Sequence, residues 1–463
     1  MDSISEEGII VAVRIRPLSK KELASGIVSC CQTLGESNIA IRKNGDANNF
    51  LKSQMAMLNE YAFDAVFDED STQEEVYEST AKKFIPNVIN GKNVTVFAYG
   101  ATGAGKTHTM LGNSRADSSA AGSGLGIIPS AVKDMFSQIA RKYANADENS
   151  NIQDKWTVTL SYIEVYNEQV YDLLGSTAGK VLPVREDQTR DIVVVAGMTE
   201  QVVTSYDEVM VFMAQGNRNR KTEATMANAV SSRSHAVLQL VVRHSMLRLD
   251  TNKETVIESK LSLIDLAGSE RASATNNRGV RLQEGANINK SLLALANCIN
   301  ALAENAGSDK KSNVKFRDSK LTHLLKSSLE GNCNLIMIAN INPSDTTYED
   351  SNNTLKYANR AKNIKVNPVV QEVVKESTWV ERELRLRQEN AALRAKVCEL
   401  TKLLTEAQTF RDNVLYKCAN EATLEGKQRF SITSASVYSE CNKLFFVLQI
   451  SRTWLMSTTN LSN

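Results

Sequence analysis

The sequence predicts one large α/β domain followed by a separate helical segment. Three observations carry that prediction. Short β-branched runs alternate with stretches of helical period up to about residue 364. A glycine-rich loop of phosphate-binding type directly follows one of those runs. Composition then changes beyond Pro368, the last of the 6 prolines. The runs at 9–13, 94–97 and 335–341 are almost continuously apolar, as strands buried on both faces are. Residues 157–160 open a longer run in the strand period, and further runs lie at 237–242 and 261–264. Between them, 73–88 and 288–303 read as helices, the second with Leu292, Leu295, Ile299 and Leu302 on one face. Polar or small-residue stretches at 114–126, 145–154 and 305–313 read as surface loops.

Composition bounds the function. The 463 residues are 42% apolar, enough to bury a sizeable core. The 54 basic residues nearly balance 53 acids, so a polyanionic partner must be met by a local basic patch. Aromatics at 6% argue against nucleic-acid binding by base stacking. The 7 cysteines are scattered without a CxxC and the 4 histidines form no HxxxH pair, which argues against a disulfide framework and a zinc site and favours a reducing compartment. Residues 1–7 carry acids and no apolar core, so they do not read as a signal peptide. No apolar stretch approaches the roughly 18–20 residues of a membrane span.

Past Pro368, residues 377–408 are dense in Glu, Arg, Leu and Ala. Placing Trp379, Leu386, Leu393, Leu400 and Ala407 at heptad position d puts Glu383, Asn390, Val397 and Leu404 at a. A single Asn at an a position suits a short parallel dimer, whereas Glu383 at a suits a lone amphipathic helix. Residues after Gly426 lose periodicity.

The strongest local signal is Gly100-Ala101-Thr102-Gly103-Ala104-Gly105-Lys106-Thr107, which fits GxxxxGK[ST] after a strand. Glycines let backbone N–H groups curl around phosphate oxygens. Lys106 would bridge the β- and γ-phosphates, Thr107 would ligate Mg²⁺, and the following helix would present its positive end. A second element, Asn228 to His235, contains Ser231, Ser232 and Arg233, whose side chains can reach Mg²⁺, a γ-phosphate or an attacking water. A third, Asp265-Leu266-Ala267-Gly268-Ser269-Glu270, follows a strand: Asp265 can hold Mg²⁺ through water, and Gly268 lets a backbone N–H reach the γ-phosphate. The order phosphate loop, hydroxyl loop, DxxG is that of a phosphoryl-transfer enzyme whose loops sense the third phosphate.

Read together, these residues resemble the kinesin motor domain, over residues 8 to about 366. The resemblance also rests on Arg14-Ile15-Arg16-Pro17, Phe63-Asp64-Ala65-Val66-Phe67, Tyr162 to Glu168, Asn287 to Leu292, Arg317-Asp318-Ser319-Lys320-Leu321-Thr322 and Leu355 to Ala361. It implies a P-loop NTPase of α/β class, with a central mixed sheet of about eight strands and helices on both faces. It implies ATP and Mg²⁺ as ligands and ATP hydrolysis coupled to microtubule binding. Adenine would pack near Arg14, Pro17 and His108, with Arg16 in the same motif. Ser232 would join Thr107 around Mg²⁺. Arg233 and Glu270 would form a latch that closes on the γ-phosphate, with Gly268 as sensor and Ser231 helping to order the water.

Microtubule surfaces are acidic, and between Lys310 and Lys326 six basic residues face one acid. The resemblance assigns Lys290, Lys310, Lys311, Lys315, Arg317, Lys320 and His323 to the track. The motifs look most like kinesin-8, a branch whose members move to plus ends and in several cases destabilise them. Four departures stand out: Ala296 for Gly, Lys315 for Pro, Phe316 for Tyr, and His323 for an Arg, the last expected to weaken track affinity. Residues 43–60 hold Lys43 and Lys52 but no dense lysine cluster, which counts against depolymerase activity. The expected organisation is a motor domain at 1–364, a neck linker at 365–376, a coiled-coil neck at 377–410 that dimerises the chain, and a tail at 411–463. The resemblance places the protein on microtubules of the cytoplasm, in a spindle or a cilium, with no nucleic-acid partner and no membrane insertion.

Overall fold

The computed structural model describes residues 9–43, 58–112, 124–144, 152–175, 180–187, 192–222, 232–248, 253–270, 280–306, 313–366, 368–376 and 379–424. The chain divides into two units, Met1–Glu376 and Ser377–Asn463. In the first, the strands are β1 (Ile9–Ile15), β2 (Cys31–Leu34), β3 (Asn38–Arg42), β4 (Leu58–Ala62), β5 (Ala65–Phe67), β6 (Asn93–Tyr99), β7 (Ile152–Tyr166) and β8 (Gln169–Asp172). They continue with β9 (Val181–Leu182), β10 (Val184–Asp187), β11 (Ile192–Val195), β12 (Gln201–Val203), β13 (His235–Arg248), β14 (Lys253–Asp265), β15 (Cys333–Ile341) and β16 (Gln371–Glu376). The helices are α1 (Lys20–Ala24), α2 (Gln73–Ser79), α3 (Ile85–Ile89), α4 (Lys106–Leu111), α5 (Ile127–Ala144), α6 (Tyr206–Thr222), α7 (Val280–Ala306), α8 (Lys320–Leu324), α9 (Lys326–Leu329) and α10 (Tyr348–Ala361).

Eleven strands form one mixed sheet in the order β5-β1-β15-β6-β14-β13-β7-β8-β9, with β12 on β7 and β16 on β14. The eight strands from β5 to β8 are the expected core, and the short β9, β12 and β16 extend it. The centre, β5-β1-β15-β6-β14, is parallel, and β13 and β7 are antiparallel. This explains the continuous apolar runs: β15 is buried at every position because helices cover both its faces. Its alternate residues divide between two cores. Ile336 and Ile338 pack with Ile85, Met110, Ile127 and Val209 of the helices on one side. Leu335, Met337 and Ala339 pack with Leu292, Leu295, Leu321 and Leu355 on the other.

Residues 73–88, which read as one helix, form a broken one. Thr80 leaves helical geometry at φ −116° and ψ −91°, a 3₁₀ turn follows at Ala81–Phe84, and α3 starts with Pro86 in its first turn. Pro86 has no N–H to continue the earlier ladder, and its ring restricts Ile85. Helix α7 is longer than the 288–303 reading and runs to Ala306. Strand β7 begins at Ile152, inside the stretch expected to be a loop to 154. The remainder of the three expected loops lies largely outside the described residues.

Strand β16 falls in the segment read as a neck linker and lies antiparallel on β14, with Lys253 opposite Glu376 and Glu258 opposite Gln371. Just before it, Val370 meets Gly91, where a Cβ would overlap Ile257 and Val370. Gly91 also has φ +88°, a conformation that disfavours side chains. Among the described residues, the second unit contains the helix α11 (Trp379–Leu424). Leu393, Val397, Leu400 and Leu404 are exposed along it.

Candidate nucleotide site and track face

Strand β6 ends at Tyr99 and delivers the chain into the glycine-rich loop at the sheet's parallel centre. Gly100 is required there: its φ is +149°, and a Cβ would collide with the carbonyl oxygen of Asn340 on β15. Gly105, at φ +98°, turns the chain into α4, whose first residues are Lys106 and Thr107. Lys106 is 6% exposed, and its Nζ donates to the carbonyls of Gly100 at 2.8 Å and Ala101 at 2.9 Å. Burial pushes this ammonium down to about 8, against the opposing charges of Asp265 and Glu270. An anionic phosphate at the loop would favour the charged form.

The three motifs, far apart in the chain, meet here. The Gly268 N–H donates to the Ser232 carbonyl at 2.9 Å, and the Ser269 N–H donates to the Gly100 carbonyl at 3.1 Å. Glu270 accepts from the Thr102 N–H at 2.8 Å and also from the Thr102 hydroxyl. A Cβ on Gly268 would overlap the Thr102 hydroxyl and the Glu270 carboxylate, so a larger residue there would displace the contact between them. The Thr107 hydroxyl donates to Asp265 Oδ2 at 2.8 Å. The other oxygen, Asp265 Oδ1, is buried without a hydrogen-bond partner. Burial raises the Asp265 carboxyl, opposed by Arg220, Thr107 and Lys106. An orphaned carboxylate oxygen beside a threonine hydroxyl suits a hydrated divalent cation, so these residues fit Mg²⁺. Among the described residues no cluster of three or more His, Cys, Asp or Glu side chains could hold a metal alone. Thr107, Ser232 and Asp265 would therefore need nucleotide oxygens and water to complete its shell.

Beside the glycine-rich loop lies a cavity of about 490 Å³ lined by Arg14, Arg16, Pro17, Thr72, His108 and Asn340, among others. That volume lies within the range of small-molecule sites. Arg14 is 8% exposed, and its guanidinium donates to Gln73 Oε1 at 2.7 Å and Thr109 Oγ1 at 3.1 Å. Arg14 thus shapes the wall and holds α2 and α4 together. Arg16 donates to the Gly103 carbonyl at 2.7 Å and pairs with Glu22, whose carboxyl that contact holds down at about 2. Asn340 Nδ2 donates to Thr109 at 2.8 Å, while its Oδ1 is buried without a partner.

Sequence reasoning missed several residues. Arg220, at the end of α6, is 6% exposed and donates to Glu164 at 3.3 Å, to Ser234 Oγ at 3.1 Å and to the Ser234 carbonyl at 2.9 Å, with Asp265 at 3.8 Å. It sits in no motif. Asn340 did have a signal, as a polar residue near the end of an apolar strand. His235, which closes the hydroxyl motif, is 2% exposed. Burial, aided by Arg220 and Lys106, lowers it from its ordinary 6.5 to about 3. The unfolded chain therefore takes up this proton first. The stabilising effect is complete above about 6.5 and lost as pH falls towards about 3. Denaturant titrations between pH 7 and 5 should show falling stability, with a shallower dependence in His235→Asn.

Of the residues assigned to the track, Lys290, Lys315, Arg317 and Lys320 are exposed. Ser231, Lys310 and Lys311 lie outside the described residues. His323 is 12% exposed and bonds Glu186 on β10 at 3.0 Å, and Arg317 pairs with the same carboxylate. Glu168 stands in a left-handed turn at φ 61° and accepts from Ser319 Oγ at 2.7 Å and the Lys320 N–H at 2.9 Å. It fixes the start of α8, and with it the position of Lys320.

Sheet, loops and buried lysine together define a phosphate-loop nucleotide-binding domain. A sequence model of the kinesin motor domain matches residues 14–364. The chain belongs to the kinesin family. It is 42% identical over 414 residues to the kinesin-like protein KIN-8A of Oryza sativa subsp. japonica, covering 88% of this chain and 50% of that one. It is 45% identical over 363 residues to the kinesin-like protein KIF19 of Homo sapiens, covering 78% and 34%. These relatives agree with the kinesin-8 likeness read from the motifs. The chain spans about half the length of these curated relatives, or less. Among solved structures, a fast kinesin studied for its ATPase mechanism and interactions with microtubules superposes with a TM-score of 0.68 at 34% identity, covering 80% of this chain and 96% of that one. A KIF14 dimer in complex with a microtubule also gives 0.68 at 34% identity, covering 81% and 99%. Among the described residues no helix is long and apolar enough to cross a membrane.

Proposed function

We propose that this chain is an ATP-driven microtubule motor that moves towards plus ends. The observation that carries the reading is the meeting of the three loops: Gly268 on Ser232, Ser269 on Gly100 and Glu270 on Thr102. Loops tied at these points can respond together to the presence of a third phosphate. Bound Mg²⁺ would offset charge on the phosphates. The chain's own residues do the rest. Lys106 faces the β- and γ-phosphates, Gly268 senses the γ-phosphate, and Ser231 with the Arg233–Glu270 pair orders the attacking water. Lys290, Lys310, Lys311, Lys315, Arg317 and Lys320 meet the acidic track, with His323 beside them. Helix α11 offers Leu393, Val397, Leu400 and Leu404 to a second copy, with Asn390 setting the register.

The test is a gliding assay on polarity-marked microtubules with filament length followed over time. Plus-end-directed gliding at constant length is expected, and shortening without gliding would replace the motor with an end regulator. A second expectation concerns the basic face. Reversing Lys310, Lys311 and Lys315 to Glu should raise the microtubule concentration for half-maximal ATPase by about tenfold and leave basal turnover intact, because charges at an interface rim act on association. Unchanged binding of this variant at low salt would make the patch an ordinary solvated loop.

A further inference from the structure

Helix α7 carries Lys290 on its exposed side and packs Leu292, Leu295 and Ile299 into the second core. A polar link joins it to the nucleotide loops, and it passes through one side chain. The Ala267 N–H donates to His235 Nδ1 at 3.0 Å. Nδ1 is therefore the acceptor, and in the neutral ring the hydrogen sits on Nε2. His235 Nε2 lies 2.8 Å from Ser291 Oγ on α7 and so donates to it. The Ser291 hydroxyl in turn donates to the Ile288 carbonyl at 2.7 Å. Both His235 and Ser291 are 2% exposed, so water does not compete for these bonds.

The imidazole is a three-way junction. Through the backbone it continues Ser232-Arg233-Ser234, and Ser234 is itself held by Arg220. Through Nδ1 it holds Ala267, between Asp265 and Gly268. Through Nε2 it holds α7. Apolar packing of α7 tolerates sliding, because dispersion contacts have no direction, whereas a buried hydrogen bond fixes position and is costly to leave unmade.

We propose that His235 and Ser291 are the positioning pair that transmits the state of the nucleotide loops to helix α7 and so to the microtubule face. This deepens the motor reading and rests on it. A shift of the DxxG loop when it engages a γ-phosphate moves Ala267, and the imidazole carries that displacement to Ser291. Neither side chain takes part in the chemistry.

The test uses the full chain with Ser291→Ala, His235→Asn and the double variant. Asn keeps an acceptor near the Nδ1 position and lacks the Nε2 donor. Ser291→Ala should retain basal ATPase while microtubule stimulation falls by about tenfold, within the usual range of coupling between sites. His235→Asn should lose stimulation by a similar factor, and the double variant should lose no more than either single one. A second measurement needs no microtubules: amide exchange across α7, with ADP against a non-hydrolysable ATP analogue. The wild type should show a nucleotide-dependent difference, and Ser291→Ala should abolish it. Wild-type stimulation or wild-type exchange differences in Ser291→Ala would overturn the proposal, as would losses that multiply in the double variant. A wild-type chain that microtubules do not stimulate would defeat the motor reading instead, and the exchange measurement would still decide the link.

Discussion

Replacing Lys106 with Ala is expected to abolish nucleotide hydrolysis, with a loss of about 10³-fold or more in single-turnover rate. Two effects combine. The phosphates lose the buried cation that would neutralise them. The loop also loses the Nζ contacts to the Gly100 and Ala101 carbonyls, which hold its curl. The variant should therefore bind nucleotide weakly as well as turn it over slowly, and fluorescent-nucleotide titration would separate the two losses. Turnover at the wild-type rate would exclude Lys106 as the phosphate lysine.

Replacing Glu270 with Ala is expected to leave microtubule binding intact and slow hydrolysis by about 10²–10³-fold, as losing one preorganised group does. Glu270 accepts two hydrogen bonds from Thr102 in this structure. Its carboxylate therefore ties the DxxG loop to the phosphate loop, and the proposed pairing with Arg233 would compete with that contact. Rapid-quench measurement of a single turnover is the check. Hydrolysis at the normal rate would remove Glu270 from the latch.

Much of this architecture could be read from the chain. Runs such as 335–341 declare a strand covered on both faces, and the spacing of Gly100, Gly105, Lys106 and Thr107 declares a phosphate loop, because few backbones need those residues in that order. The break at Thr80 and Pro86 was missed because the apolar period of 73–88 continues through it: the same faces stay buried although the backbone ladder stops. Arg220 was missed for a different reason. Its importance comes from Glu164 and Ser234, 56 and 14 residues away, and no local pattern reports a partner brought by sheet pairing. His235 lay within a motif, yet its link to Ser291 spans 56 residues and exists only in the fold.

The Glu186 carboxylate has a consequence for how the basic face would register in solution. Its hydrogen bonds to Arg317 and then to His323 hold it at about 2, so it stays anionic at any ordinary working pH. A charge count along the chain treats the Lys310 to Lys326 segment as strongly cationic, since Glu186 lies far away in sequence. A binding partner meets a smaller effective valence, because Arg317 already belongs to an internal ion pair. The number of counterions released on docking should thus fall short of the number of basic side chains in the segment. Arg317 would act less as an attractor at long range than as a short-range fork, held in one plane by Glu186 with its remaining donors free to choose geometry over charge.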